Sequence, residues 1–69
     1  MPRYTIPEHA GQFRIERHYS GAHYLVMNDK TGRNEVCIPV ATKSDAEDLC
    51  QRLNAGDHNG TVSVPAPKR

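Results

Sequence analysis

The first half of the chain carries three short stretches in which apolar positions follow the pattern of β-strands. Residues 12–18 alternate, with Phe13 and Ile15 on one face and polar side chains on the other, which is typical of a half-buried strand. Residues 23–28 are rich in β-forming side chains, and residues 35–40 alternate again. This last stretch places three apolar side chains on one face: Val36, Ile38 and Val40. The pattern therefore predicts three strands.

Turn-forming residues separate the predicted strands. Residues 19–22 include Ser20 and Gly21, and residues 29–32 are Asp, Lys, Thr and Gly. An Asp side chain can brace a turn, and Gly32 can adopt the left-handed backbone that a type I turn with a bulge requires. Because short turns of this kind join neighbouring antiparallel strands, we expect a three-stranded meander.

A helical pattern follows the third predicted strand. Apolar side chains recur at i, i+3, i+4 and i+7, which forms one stripe along a helix: Ala46, Leu49, Cys50 and Leu53. Thr42 is placed to cap the helix N-terminus, and Asp45 has the position of a capping-box acid. Gly56 suits a left-handed cap at the other end. The sequence thus predicts one amphipathic helix between Thr42 and Gly56.

Together these elements predict an α+β fold, in which one helix packs across a three-stranded antiparallel sheet. Residues 1–11 lack periodicity and are predicted to form an irregular N-terminal arm. Residues 12–56 form the predicted β-β-β-α domain. Residues 57–69 are expected to form a loop and a flexible tail, in which residues 61–64 are a candidate for a short fourth strand.

The second predicted strand is apolar on both faces. Tyr24 and Val26 point to one side of the sheet, and Leu25 and Met27 point to the other. In an antiparallel sheet covered by a helix on one side, the opposite face is normally polar. Leu25, Met27 and Cys37 are therefore predicted to form an apolar patch of the kind that marks a protein interface.

Two explanations of this patch remain open at the level of sequence. It contacts a partner protein or a second copy of the chain, or the arm folds back and covers it with Tyr4 and Ile6. A domain of 69 residues has a thin core, so both outcomes would add burial that the domain needs.

Composition excludes several classes of protein. Nine Lys or Arg against eight Asp or Glu give a net charge of +1, without the basic excess typical of nucleic-acid binders. The longest apolar run, residues 24–27, is too short for a signal peptide or a membrane span. Two cysteines are too few for a disulfide framework, so we expect a cytoplasmic protein.

Neither a metal site nor a catalytic motif is predicted. Zinc sites usually present closely spaced Cys or His pairs, and none occurs here. His18 and His23 flank the first turn and could meet across it, whereas Cys37 and Cys50 are predicted to face opposite ways. The chain also lacks a glycine-rich phosphate loop, a nucleophile elbow and paired carboxylates. We expect no enzymatic activity, no cofactor and no small-molecule substrate.

Two predicted strands with Asp-Lys-Thr-Gly-Arg between them precede the predicted helix. This order of elements, over residues 12–56, carries a resemblance. It is similar to the sheet-plus-helix DNA-binding domains, which include the arm-binding domains of tyrosine integrases and the plant ethylene-response-factor domains. Those families lay the sheet in the major groove. The resemblance implies that DNA contacts would come from four side chains: Arg14, Arg17, Lys30 and Arg33. The chain differs from those families in carrying Glu16 and Glu35 on the corresponding face.

The sequence therefore favours a small non-enzymatic binding module that contacts a partner protein, or itself as a dimer, through the sheet face away from the helix. Its size is typical of bacterial, plasmid or phage accessory proteins, such as a small inhibitor or adaptor. DNA binding through the sheet is the alternative.

Overall fold

A computed structural model describes residues 2–8, 10–29 and 35–67 of the chain. In chain order, its elements are four strands, one helix and a fifth strand: β1 (Arg3–Thr5), β2 (Phe13–Arg17), β3 (Tyr24–Asn28), β4 (Cys37–Val40), α1 (Lys43–Ala55) and β5 (Thr61–Ser63). The predicted α+β architecture is confirmed: β2, β3 and β4 form an antiparallel sheet with β3 in the centre, and α1 packs against all three strands.

Local signals determine both ends of α1, as the sequence predicts. The Thr42 hydroxyl accepts a hydrogen bond from the Asp45 backbone N–H at 3.2 Å. Gly56 has a φ of 74°, and the helix ends there with backbone N–H groups bonded to the Arg52 and Leu53 carbonyls. Capping groups of this kind satisfy backbone donors and acceptors that a helix leaves unpaired at its ends.

The core lies between the sheet and the helix. Ala46, Leu49 and Leu53 are buried on α1, and Cys50 is partly buried beside them. On the sheet, the predicted face supplies most of the remaining apolar side chains: Phe13, Val26, Val36, Ile38 and Val40 are buried, and Ile15 and Tyr24 pack against them. This confirms which face of the sheet the helix covers.

The predicted arm contains a strand that the sequence did not indicate. β1 pairs with β5 in a separate two-stranded antiparallel sheet, with Tyr4 opposite Val62. Ile6 is buried in the core, and the Ile6 backbone N–H donates to the Gly60 carbonyl at 2.8 Å. The fourth strand expected at residues 61–64 is confirmed as β5, but its partner is β1 rather than the larger sheet. The expectation of an irregular arm is therefore wrong for Arg3–Thr5.

In the described part of the chain, no helix is long and apolar enough to cross a membrane. Residues 30–32 of the hairpin loop predicted at 29–32, and the last two residues of the predicted tail, lie outside the described residues.

Candidate functional site

The register of the larger sheet determines which side chains face away from α1. Side chains of directly opposite residues lie on the same face of a sheet. Arg14 is opposite Met27, which is opposite Cys37, and these three form one row. The adjacent row is formed in the same way by three residues: Glu16, Leu25 and Pro39. We call these six residues the open face.

Leu25 and Met27 lie in the middle of the open face because β3 is the central strand. Both side chains are half-buried, and neither belongs to the core or packs against it. Cys37 is exposed, and Pro39 is half-buried. The structure thus places Leu25, Met27 and Cys37 together on one surface, as the sequence predicts, with the first two half-buried and the third exposed.

The N-terminal arm does not lie over this surface in the described residues. Ile6 shares the core with Phe13 and Leu53 on the helix side of the sheet, and Tyr4 packs against the same core. The second explanation of the patch, coverage by Tyr4 and Ile6, is therefore wrong for these two side chains.

Charged groups flank the apolar centre of the open face. The Arg14 guanidinium forms ion pairs with the Asp29 carboxylate at 2.5 Å and with the Glu16 carboxylate at 3.2 Å. All three side chains are substantially exposed, and ion pairs of this kind stabilise a fold by about 0–1 kcal/mol. They therefore add little to stability, and they place one positive group between two negative ones beside the apolar centre.

The surroundings of Cys37 favour the neutral thiol over the thiolate. Partial burial, followed by the nearby Glu35 carboxylate, raises the pKa of the Cys37 thiol. A reactive cysteine requires the opposite environment, in which positive charge lowers the pKa and populates the thiolate. The thiol therefore adds to the apolar surface beside Met27.

Two of the predicted DNA contacts, both arginines, lie in the described residues, and the structure places them on opposite faces of β2. Arg14 lies on the open face, whereas Arg17 is opposite Tyr24 and lies on the other face of β2. One Arg17 guanidinium nitrogen is 3.5 Å from the Gly21 carbonyl oxygen. The other two predicted contacts, Lys30 and Arg33, lie outside the described residues.

His18 and His23 meet across the first turn, and Cys37 and Cys50 face opposite ways as the sequence predicts. The rings of His18 and His23 stack across the first turn with their centroids 4.1 Å apart. Cys37 and Cys50 are free thiols on opposite sides of the sheet, one on the open face and one against the core. Within the described ranges, no three His, Cys, Asp or Glu side chains are grouped so that they could hold a metal ion.

Two grooves border the helix, and both lie on the far side of the sheet from the open face. The larger, of about 510 Å³, lies between the N-terminal arm and the C-terminal end of α1, and its lining includes, among the described residues, the titratable side chains of Glu8 and His58. The smaller, of about 260 Å³, lies between α1 and the segment that follows β5, and its charged lining residues are Asp45, Asp48 and Arg52. Arg52 is paired with Asp48 at 3.2 Å, one turn away on the helix.

Two asparagines have structural roles that sequence reasoning missed. The buried Asn28 amide accepts a hydrogen bond from the Val36 backbone N–H at 2.7 Å and donates to the Ala10 carbonyl at 2.5 Å. Asn54 accepts from the Phe13 N–H at 2.7 Å and donates to the Phe13 carbonyl at 3.2 Å. Asn28 sits at a position where the strand pattern expects an apolar side chain, which is the one signal that could have identified it.

Comparisons with protein families, curated proteins and solved structures give no match to this chain.

Proposed function

We propose that the chain is a small non-enzymatic binding module that contacts another protein surface, a partner or a second copy, through the open face. The observation that carries this proposal is the pair Leu25 and Met27 in the middle of a sheet face that neither the helix nor the second sheet covers. Adjacent apolar side chains with a charged rim are the usual composition of a protein interface.

The chemistry of the surrounding side chains supports binding rather than catalysis. The Cys37 thiol has a raised pKa, and the arginine nearest to it on the sheet, Arg14, is engaged by two carboxylates. A binding surface needs only shape and charge complementarity, which these groups can supply. Free thiols at Cys37 and Cys50 accord with the proposed cytoplasmic location. We also propose that the module acts as an accessory inhibitor or adaptor.

The double variant Leu25→Lys/Met27→Lys tests the proposal. Both side chains point away from the core, so the circular dichroism spectrum should be nearly unchanged. Self-association in the analytical ultracentrifuge, or capture of a partner protein, should be lost because two charges cannot be desolvated in an apolar contact. The matched control is Ser44→Lys/Gln51→Lys, which adds the same charge at two exposed positions of α1 and should behave as the parent.

Partner capture is best measured from an extract of the native host, with and without nuclease. A protein recovered by the parent and by the helix control in both samples, but not by the open-face variant, supports the proposal. Equal recovery by all three chains means that the interface lies elsewhere. Loss of the folded spectrum in the open-face variant means that Leu25 and Met27 stabilise the fold.

DNA binding through the sheet is the second candidate, and the observation in its favour is an exposed arginine, Arg14, on a three-stranded sheet packed against a helix. Phosphate contacts make affinity for duplex DNA fall steeply as salt rises. Because Arg14 lies on the open face and Arg17 does not, Arg14→Ala should weaken binding more than Arg17→Ala. Absence of duplex binding at low ionic strength would contradict this candidate.

A further inference from the structure

The outer edge of β2 has backbone groups that are not used within the sheet. The His18 N–H donates to the His23 carbonyl at 3.0 Å, which places His18 among the residues that bond to β3. Residues of an antiparallel edge strand bond alternately inward and outward. The backbone groups of Phe13, Ile15 and Arg17 therefore point outward, away from β3.

The Asn54 side chain occupies one end of this edge. Its amide bonds to both the N–H and the carbonyl of Phe13, as a neighbouring strand would. The backbone groups of Ile15 and Arg17 remain at the outer edge. No backbone group in the described ranges pairs with them there, and edge groups of this kind are a template for pairing with another strand.

The opposite edge of the sheet is protected. The Asn28 N–H donates to the Val36 carbonyl at 3.3 Å, so Val36 and the alternate residues after it bond inward to β3. Cys37 and Pro39 therefore have outward backbone groups, and proline has no N–H to offer. A proline at this position is one of the devices that prevent strand addition at an edge. Of the two edges in the described residues, β2 is therefore the better suited to pairing.

We propose that two copies of this chain join along β2 in antiparallel orientation, with the two-fold axis at Ile15. In this register Arg14 is opposite Glu16 of the second copy. The two-fold symmetry also places Glu16 opposite Arg14 of the second copy. A shift of two residues in one direction places two Arg14 side chains opposite each other. The same shift in the other direction, which would pair Ile15 with Arg17, places two Glu16 side chains opposite each other. Like charges in direct cross-strand contact are destabilising, so charge complementarity selects the register at Ile15.

The pairing adds to the proposed function, and it rests on that proposal for the role of the open face. It joins the two three-stranded sheets into one of six strands and places the two open faces side by side. Leu25 and Met27 lie one strand away from the junction, so they stay uncovered and available to a partner protein. The Phe13 backbone groups already bond to the Asn54 side chain, so only the Ile15 backbone groups form hydrogen bonds between the copies. The dimer should therefore be weak and concentration-dependent.

Charge reversal tests the pairing by sedimentation velocity over a range of concentrations. Arg14→Glu and Glu16→Arg should each lower the association constant roughly tenfold or more, because each places like charges opposite each other twice. An equimolar mixture of the two variants should associate again, since a chain with two carboxylates then faces a chain with two guanidinium groups. The double swap Arg14→Glu/Glu16→Arg should restore self-association in a single chain. Glu47→Arg, on the exposed side of α1, is the matched control for Glu16→Arg.

Several results would overturn the pairing. A monomeric parent at the highest attainable concentration would do so, as would single variants that associate like the parent. Loss of association in Glu16→Arg but not in Arg14→Glu would mean a different register. Dissociation by Leu25→Lys/Met27→Lys would mean that two open faces pack against each other, which supports the proposed function and contradicts the edge pairing. Retained self-association in that variant, with loss of partner capture, is the result expected if two copies join along β2 and a partner protein binds the open face.

Discussion

Replacing Leu49 with alanine is expected to lower the free energy of unfolding by about 2–4 kcal/mol. The Leu49 side chain is 1% exposed and lies where α1 crosses the sheet. Truncation removes apolar contacts and leaves a cavity that the surrounding side chains fill only in part. A loss of this size is a large fraction of the stability of a small domain, so the variant should be partly unfolded at physiological temperature.

Thermal and urea denaturation followed by circular dichroism measure this effect. Cys50→Ala is the control, because Cys50 adjoins Leu49 on the same stripe but is only partly buried, and its effect should be clearly smaller. Equal melting temperatures for Leu49→Ala and the parent would contradict the packing of α1 on the sheet.

Replacing Asn28 with alanine is expected to cost roughly 2–5 kcal/mol, because two buried backbone groups lose their partner. Asn28 is 2% exposed, and its amide bonds to the Val36 N–H and the Ala10 carbonyl. These bonds connect the end of β3 to the segment before β2 and to the start of β4. Chemical denaturation of Asn28→Ala against the parent measures the cost, and an unchanged midpoint would contradict this role.

Asn28→Asp separates the two hydrogen bonds of this amide. A carboxylate can accept from the Val36 N–H but cannot donate to the Ala10 carbonyl, whereas a protonated carboxyl group can do both. Burial raises the pKa of a carboxyl group in the folded state above its value in the unfolded chain. Relative to the parent, the variant should therefore be most stable in acid, below the unfolded-state pKa, and should lose stability as pH rises through the folded-state pKa. Asn28→Ala should lack this pH dependence.

The elements that sequence predicts correctly are those determined by nearby residues. Thr42 and Gly56 act on the backbone within one helical turn, and the stripe that includes Leu49 follows from helical spacing alone. The faces of the sheet also follow from local alternation, which is why Leu25 and Met27 lie together on the open face as expected.

The features that the sequence did not indicate depend on residues that are distant along the chain. β1 has three residues, too few for a periodic pattern, and its partner β5 lies near the other end of the chain. Asn54 bonds to Phe13 across 41 positions, and no local motif marks such a pair. The ion pair between Arg14 and Asp29 likewise depends on the register of β2 and β3, which a strand pattern alone does not determine.

Chemical-shift mapping of an isotope-labelled chain tests most directly whether the open face is an interface. The labelled chain is titrated with nuclease-treated extract of its native host, and its backbone amide signals are followed one by one. We predict that the signals of Leu25, Met27 and Cys37 shift or broaden first, while those along the exposed side of α1 stay unchanged. Perturbations confined to α1, with constant signals at those three residues, would contradict the claim.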